Sequence, residues 1–230
     1  MVRMAASSGT TDLVATPHAN PQYQFDPQVI AVRLAEIQAQ VGDTIRLYSG
    51  CDFHLSYDNI QDAIENPAKY TIDHKNYLLV EFSDLIIFNN TTEIFERLMD
   101  AGMIPVITHP ERNSLLRQRL DQLAKWVSDG ARVQVTSQSL TGDFGKRAEE
   151  FSRVLLDRGL IHVIASDAHD CERRPPSMQQ AYSWIEKNYS KDLAQLLWVT
   201  NPGATLTGAD MQVPERDERG VGRKWYQIWK

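Results

Sequence analysis

The stretch Ile104–Arg112, IPVITHPER, places a histidine directly after a short and nearly continuous apolar run. Runs that are rich in Val, Ile and Leu and do not alternate with polar residues are typical of strands buried on both faces in a parallel sheet. Five more runs of this kind occur along the chain, namely Leu13–Ala15, Ile45–Tyr48, Tyr77–Phe82, Val133–Thr136 and His162–Ala165. The sequence therefore predicts six parallel strands.

Amphipathic helical segments separate several of these runs. Asp26 is the expected N-cap of one helix, with Pro27 in its first turn and Gly42 just past its end. A second helix is expected to begin at its N-cap Ser114 and to stop at Gly130. Further helical segments are Phe151–Gly159, Pro175–Tyr189 and Ser190–Val199. Strands that alternate with helices predict a parallel sheet or a closed βα barrel.

Composition excludes several classes of protein. The 230 residues carry 24 Lys+Arg against 30 Asp+Glu, a net charge of -6, which argues against a nucleic-acid surface. No apolar run approaches the roughly 18 residues that a membrane span needs, and no secretory signal is visible. Two cysteines do not make a disulfide framework. We expect a soluble, cytoplasmic protein.

The organisation predicts one domain and a tail. The alternating pattern extends over residues 1–208, which we expect to form a single barrel domain, and no linker divides it. Residues 209–230 are expected to form a C-terminal extension, charged at first and then aromatic. Its WYQIW segment could mediate self-association, so the oligomeric state stays open.

Ionisable side chains stand at the ends of five of the six runs. They are His18, Asp52, Glu81, His109 and Asp167, with His169 two residues further on. The first five positions are 34, 29, 28 and 58 residues apart, and the last interval is about twice the others. A (β/α)8 barrel uses roughly 31 residues per unit, and the carboxyl ends of its strands meet on the face that holds active sites. These side chains are therefore expected to converge.

Converging carboxylates and imidazoles predict a metal site. Carboxylates do not cluster in ionised form at a dry site without a cation. The mixture of imidazole and carboxylate suits Mn, Fe or Zn, and a site with several metals can activate water for displacement at phosphorus. Taken singly, His18 could be a hydrogen-bonding residue at a strand end, and Asp52 could cap a turn after Gly50. Glu81 is harder to explain without a partner, because a buried carboxylate needs one.

The remaining histidines and cysteines receive weaker assignments. His54 lies two residues past Asp52 and stays a weak candidate ligand, whereas His74 and His162 are interpreted as structural. The cysteines, Cys51 and Cys171, are interpreted as small fillers rather than nucleophiles.

Two arginines follow the candidate ligands. Arg112 is three residues after His109, and Arg174 is five residues after His169, with Arg173 as the competing choice. A guanidinium fork fits the oxygens of a phosphate, although a surface arginine is the ordinary alternative. Their position beside the expected metal face favours phosphate binding.

These motifs resemble the PHP (polymerase and histidinol phosphatase) superfamily and, within it, the bacterial tyrosine-protein phosphatases of capsule and exopolysaccharide loci. The similar segments are VATPH, SGCDF, LLVEFS, PVITHPERN, VQVTSQSLTGDFG, HVIASDAHDCERRPPSMQQAY and VTNP, spread over Met1 to about Gly208. The combination of THPER with ASDAH and RPP is specific for this branch.

The resemblance implies a distorted (β/α)7-type barrel that holds two or three divalent ions, most typically Mn, with Fe or Zn as alternatives. The implied metal ligands are His18, Asp52, Glu81, His109, Asp167 and His169, and the implied phosphate-binding residues are Arg112 and Arg174. The family often has Glu where this chain has Asp52. The implied target is the phosphotyrosine tail of a bacterial tyrosine kinase that acts as a polysaccharide copolymerase. A cysteine phosphatase is excluded, because the sixth residue after Cys51 is Tyr57 and after Cys171 is Ser177, where Cys-x5-Arg needs arginine.

One departure from the family pattern affects the expected site. The family opens with a strand that bears an Asp-x-His-x-His motif, and this sequence does not contain that segment. We expect a barrel without its first strand and at least one weakened metal position. The explanation that we favour is that Met1 is an internal methionine of a longer reading frame. A non-catalytic phosphotyrosine- or metal-binding module, and a small-molecule phosphoesterase such as a histidinol-phosphate phosphatase, are the alternative functions.

Overall fold

The computed structural model describes residues 1–20 and 22–214 as an α/β fold whose strands pair in parallel. The strands are β1 Asp12–Ala15, β2 His18–Ala19, β3 Arg46–Ser49, β4 Asp52–His54, β5 Tyr77–Glu81, β6 Ile104–Thr108, β7 Arg132–Thr136 and β8 Val163–Ala165. The helices are α1 Val2–Ser7, α2 Pro27–Val41, α3 Tyr57–Glu65, α4 Thr91–Asp100, α5 Leu120–Ser128, α6 Ser137–Leu140, α7 Lys146–Asp157, α8 Gln179–Asn188, α9 Lys191–Gln195 and α10 Asn201–Thr207. A π-helical segment, Leu196–Thr200, joins α9 to α10.

The strands follow one another across the sheet nearly in chain order. Six of them form one sheet in the order β2-β4-β5-β6-β7-β8, and β1 pairs with β3 beside it. All six apolar runs form strands, and each observed boundary is within one residue of the predicted one. The two-residue β2 and the three-residue β4 were not predicted, because neither has an apolar run of its own. The predicted α/β class with parallel strands is confirmed.

The segments that follow β1 and β3 lie close to each other. The chain passes from β1 to β2, and from β3 to β4, through only two residues each, and Asp52 N donates to Pro17 O at 3.0 Å. A Cβ at Gly50 would lie 2.8 Å from Val14 Cγ1 and 3.1 Å from Thr16 Cγ2. Only glycine therefore fits here without a shift of its neighbours. The result is that His18 and Asp52 begin adjacent strands in register.

The helix boundaries agree with the sequence in one case and differ in another. Asp26 caps α2 by accepting from the backbone N–H groups of Gln28 and Val29, as predicted. The prediction that Ser114 caps α5 is wrong, because α5 begins only at Leu120. Asn113 caps an earlier turn instead. Its Oδ1 accepts from the N–H groups of Leu115 at 2.9 Å and Leu116 at 3.0 Å, but the backbone leaves the helical conformation at Arg119, with φ -125° and ψ 41°, so α5 starts only after this residue.

The core lies between the larger sheet and the helices that cover it. An aromatic group at its centre comes from three elements: Phe82 after β5 stacks on Trp126 of α5 at 5.5 Å between ring centroids, and Phe95 of α4 meets both rings edge-on. Large rings contribute much of the apolar burial in a core. This packing fixes the end of β5, where Glu81 lies.

The described residues after 208, where the sequence predicts a C-terminal extension, pack against the rest of the fold. Tyr77 Oη donates to Ala209 O at 2.7 Å and accepts from Met211 N at 3.1 Å, and Asn201 Nδ2 donates to Gln212 O at 2.9 Å. Ala209 and Met211 are thus tied to the start of β5, and Gln212 is tied to the start of α10. The rest of the extension, including WYQIW, lies outside the described residues. Among the residues that the structure describes, no helix has the length and apolar character needed to cross a membrane.

The buried side chain of His162 makes the stability of the fold sensitive to acid. This side chain is fully buried, and its Nδ1 accepts from Val133 N at 3.2 Å. Burial, with a smaller contribution from Arg132, lowers the pKa of His162 from 6.5 to about 3. A base with a lowered pKa takes up its proton only on unfolding, so stability falls as the pH drops below 6.5. At pH 5 the loss from this group is about 2 kcal/mol.

Urea unfolding at pH 7 and pH 5 tests this expectation. His162→Asn, whose Oδ1 can accept from Val133 N, should lose about 2 kcal/mol less than the wild type between the two pH values. The matched control is His74→Asn at an exposed position, which should keep the wild-type pH dependence. If His162→Asn and the wild type lose the same free energy of unfolding between pH 7 and pH 5, His162 is not the source of the acid sensitivity.

Candidate metal centre

Five ionisable side chains meet around β2 and β4 and at the carboxyl ends of β5 and β6. We call His18, Asp52, His54, Glu81 and His109 the five-residue cluster. The strand register sets His18 opposite Asp52 and His54 opposite Glu81. His18 Nδ1 lies 3.1 Å from Asp52 Oδ2 and 3.2 Å from Glu81 Oε2. His109 Nε2 lies 3.5 Å from Glu81 Oε1, and His54 Nε2 contacts Glu81 Oε2. Glu81 is therefore at the centre.

The ligand atoms of the cluster form two overlapping sets. One set is His18, His54 and Glu81, and the other is Asp52, Glu81 and His109. Within each set, one ligand atom per residue lies within 4.8 Å of the others. Histidine nitrogens and carboxylate oxygens at such separations suit Mn, Fe or Zn. Because Glu81 belongs to both sets, it would be a ligand of a divalent ion in either of them.

Unsatisfied atoms in the cluster support a cation. His18 Nδ1, Asp52 Oδ1, His54 Nε2 and Glu81 Oε2 are all buried, yet none makes a hydrogen bond of acceptable geometry. The close contacts between these nitrogens and oxygens are thus electrostatic contacts with poor hydrogen-bond angles. Buried polar atoms are almost always satisfied, and an unpaired group calls for an explanation such as an ion. The residues present therefore fit a divalent metal.

Charge is distributed unevenly over the two carboxylates of the cluster. Burial opposes ionisation of Glu81, but the close contact with His54 and the charge of His109 outweigh it and lower its pKa to about 2. Burial raises the pKa of Asp52, and His18 offsets part of that increase. The close contact with Asp52 raises the pKa of His18 in turn. Glu81 is the firmly anionic member, which suits its central place.

Two residues at the site have a strained backbone. His109 has φ 34° and Asp167 has φ 48°, both in the left-handed region that side chains other than glycine rarely adopt. His109 N donates to Gln134 O at 2.9 Å, and Arg112 N donates to His109 O at 3.0 Å, so the chain turns sharply after β6. Strain of this kind is concentrated at functional sites.

The other predicted site residues lie beside the cluster. Arg112 Nη1 and Arg174 Nη2 both contact the same oxygen, Asp167 Oδ2. His169 Nδ1 lies 3.8 Å from Asp167 Oδ1, and the His169 ring is 6.2 Å from the ring of His18. Arg173 is exposed, whereas Arg174 is half-buried at Asp167. The structure therefore brings all eight predicted residues to one face and favours Arg174 over Arg173.

Three residues at this face received little or no weight from the sequence. His54 was only a weak candidate, and its spacing of two from Asp52 on a strand was the available signal. Glu111 received no role, although it is fully buried and accepts from Thr136 N at 3.1 Å and Ser139 Oγ at 2.7 Å. Burial raises the pKa of Glu111. Phe144 also received no role, and it lies against the guanidinium groups of Arg112 and Arg174.

Cys51 is unsuited to nucleophilic chemistry at this face. Cys51 is fully buried, and this burial raises the pKa of its thiol far above the ordinary value. A thiol of this kind is inert, because the thiolate is the reactive form. Cys171 is exposed and accepts from the Met1 amino group at 3.3 Å.

A parallel α/β fold with histidines and carboxylates clustered at strand ends is typical of metal-dependent proteins of the βα-barrel class. The chain belongs to the family described as Capsular polysaccharide synthesis, CpsB/CapC, which matches residues 1–207. CapC of Staphylococcus aureus is 33% identical over 235 residues, covering 99% of this chain and 90% of its own length. The tyrosine-protein phosphatase YwqE of Bacillus subtilis is 31% identical over 201 residues, covering 86% of this chain and 79% of its own length.

A solved structure has the same fold. It comes from work on YwqE of Bacillus subtilis and CpsB of Streptococcus pneumoniae, described there as unique metal-dependent tyrosine phosphatases. It superposes with a TM-score of 0.85 at 30% identity and covers 94% of this chain and 89% of that chain. The predicted family and barrel-type fold class are confirmed.

Proposed function

We propose that the chain is a metal-dependent protein-tyrosine phosphatase that regulates capsular or exopolysaccharide synthesis. The observation that carries the proposal is the five-residue cluster beside two arginines that share one carboxylate oxygen. A metal ligand set next to paired guanidinium groups is suited to a phosphoric monoester, which brings its own negative charge. The names of the relatives CapC, CpsB and YwqE support the same activity.

Each side chain has a part in this proposal. His18, Asp52, Glu81, His109, Asp167 and His169 hold divalent ions, and His54 joins them through its contact with Glu81. Bound divalent ions supply Lewis-acid chemistry, which lowers the pKa of water and offsets negative charge at phosphorus. Arg112 and Arg174 already meet at one oxygen, so both are close enough to bind oxygens of a single phosphoryl group.

We infer Mn as the preferred ion, in two or three positions, with Fe or Zn as alternatives. The mixed imidazole and carboxylate ligands support this choice over Ca or Mg. The proposed substrate is the phosphotyrosine tail of a bacterial tyrosine kinase that acts as a polysaccharide copolymerase. We propose a cytoplasmic location.

Metal removal tests the proposed function. The chain treated with EDTA should not hydrolyse p-nitrophenyl phosphate or a phosphotyrosine peptide, and added Mn2+ should restore both activities. Turnover should be faster on the phosphotyrosine peptide than on histidinol phosphate. Hydrolysis that persists in EDTA would contradict the metal mechanism, and a preference for histidinol phosphate would instead identify a small-molecule phosphoesterase. Phosphopeptide binding without turnover would identify a non-catalytic module.

Arg174 and Arg173 offer a matched pair of variants. Arg174→Ala should raise KM for p-nitrophenyl phosphate roughly tenfold or more, because a charge-assisted hydrogen bond contributes about 1.5–3 kcal/mol. Arg173→Ala removes the same charge from the neighbouring exposed position and should leave KM within about twofold. Steady-state kinetics of both variants with Mn2+ measure the difference. An equal increase in KM in the two variants would show that Arg174 contributes only its positive charge and no direct contact with phosphate.

A further inference from the structure

Phe144 lies against both candidate phosphate-binding arginines. The guanidinium carbon of Arg112 is 4.4 Å from the centroid of the Phe144 ring, and that of Arg174 is 5.8 Å from it. Both distances are within the roughly 6 Å at which a cation is attracted to an aromatic face. Arg112 comes from the loop after β6 and Arg174 from the loop after β8, so one ring connects two loops that are far apart in sequence.

The loop that carries Phe144 has a defined conformation. Asp143 N donates to Gln138 O at 3.0 Å, and Thr141 Oγ1 donates to Asp143 Oδ2 at 2.8 Å. Gly142 and Gly145 have φ 90° and 87°, and Gly145 N donates to Gly142 O at 2.8 Å. These values are accessible to glycine and strained for other residues. The backbone on both sides of Phe144 is therefore held in place.

The two arginines need an anchor other than Asp167. Like charges that converge on a single oxygen repel one another, and Asp167 is also a proposed metal ligand, so its charge is shared with a cation. The ring of Phe144 attracts both guanidinium groups without donating or accepting a proton. It also leaves their N–H groups free for an anion.

We propose that Phe144 is a positioning residue that holds Arg112 and Arg174 as a pair for phosphate. The inference rests on the proposed phosphatase function. Phe144 contacts the arginines and is not among the ligand atoms of the five-residue cluster. Its loss is therefore expected to weaken phosphate binding and to leave metal binding unchanged.

Calorimetry with inorganic phosphate and phenyl phosphate on the Mn2+-loaded chain tests the role. Phe144→Leu removes the ring and keeps an apolar side chain, so both ligands should bind roughly tenfold more weakly, as expected for two lost cation–π contacts. Phe144→Tyr and Phe144→Trp keep an aromatic face and should bind both ligands like the wild type. Phe88→Leu is the matched control, because Phe88 lies exposed in the loop after β5, and it should change neither affinity.

The outcomes separate this inference from the proposed function. Unchanged phosphate affinity in Phe144→Leu overturns the inference, and so does a loss confined to phenyl phosphate, which would mean that the ring contacts the aryl group. If Phe144→Leu does not fold, weak phosphate binding by the folded Phe144→Trp variant overturns it instead. Wild-type turnover of a phosphotyrosine peptide is measured in parallel. Its absence contradicts the proposed function, whereas the calorimetry still decides the role of Phe144.

Discussion

Glu81→Gln is expected to lower the Mn2+-dependent turnover of p-nitrophenyl phosphate by about a thousandfold, because metal catalysis contributes several kcal/mol to such reactions. Glu81 contacts three histidines of the five-residue cluster and belongs to both ligand sets. It is also the carboxylate whose pKa is lowered to about 2, so its charge is present throughout the working pH range. The amide of Gln is neutral and would be a weaker ligand for a divalent cation.

Two measurements separate loss of metal from loss of fold in this variant. Calorimetric titration with Mn2+ should show weaker binding in Glu81→Gln, and the melting temperature in EDTA should stay close to that of the wild type. Glu65→Gln changes the same group at the exposed end of α3 and should keep full activity. Mn2+-dependent turnover in Glu81→Gln at the wild-type rate would show that the cluster is not the reactive centre.

The positions of the strand ends were accessible from the sequence because they depend on local pattern. Each apolar run is short and is followed by a polar residue, and parallel strands bring their carboxyl ends together whatever the details of packing. His18, Glu81 and His109 were therefore identifiable from the ends of the apolar runs alone. In the structure, a ring nitrogen of His18 lies 3.2 Å from a carboxylate oxygen of Glu81, and one of His109 lies 3.5 Å from the other oxygen. The sequence did not predict β4, because that strand has no apolar run of its own, and His54 at its end was therefore only a weak candidate ligand.

Contacts between loops could not be inferred in this way. Glu111 bonds to residues 25 and 28 positions away, and Phe144 meets an arginine from each of two separate loops. No spacing rule relates such residues, because their meeting depends on how two irregular segments fold over the same strand ends. The predicted helix start at Ser114 was wrong for a different reason. Asn113 caps a turn there, but the backbone leaves the helical conformation at Arg119, and a helical apolar pattern does not reveal such a break.

Glu111→Ala is expected to lower the free energy of unfolding by about 3 kcal/mol, because it leaves a buried N–H and a buried hydroxyl without their acceptor and opens a cavity. Glu111 Oε1 accepts from Thr136 N and from Ser139 Oγ, and the side chain is fully buried. Glu111→Gln keeps an oxygen at this position and should lose much less. Urea unfolding of both variants in EDTA measures the difference without a contribution from bound metal.

The same pair of variants connects stability to the site. Glu111 stands between His109 and Arg112 in the turn after β6, and its two hydrogen bonds tie that turn to the end of β7 and to α6. Glu111→Gln should therefore keep KM for p-nitrophenyl phosphate within about threefold, whereas Glu111→Ala should raise it even at temperatures where the variant is fully folded. Glu93→Ala, at an exposed position of α4, is the control and should change stability by no more than about 0.5 kcal/mol. If Glu111→Ala is no less stable than Glu93→Ala, the turn after β6 holds its shape without the Glu111 carboxylate. The strained backbone of His109 must then be maintained by its hydrogen bond to Gln134 and by its contact with Glu81.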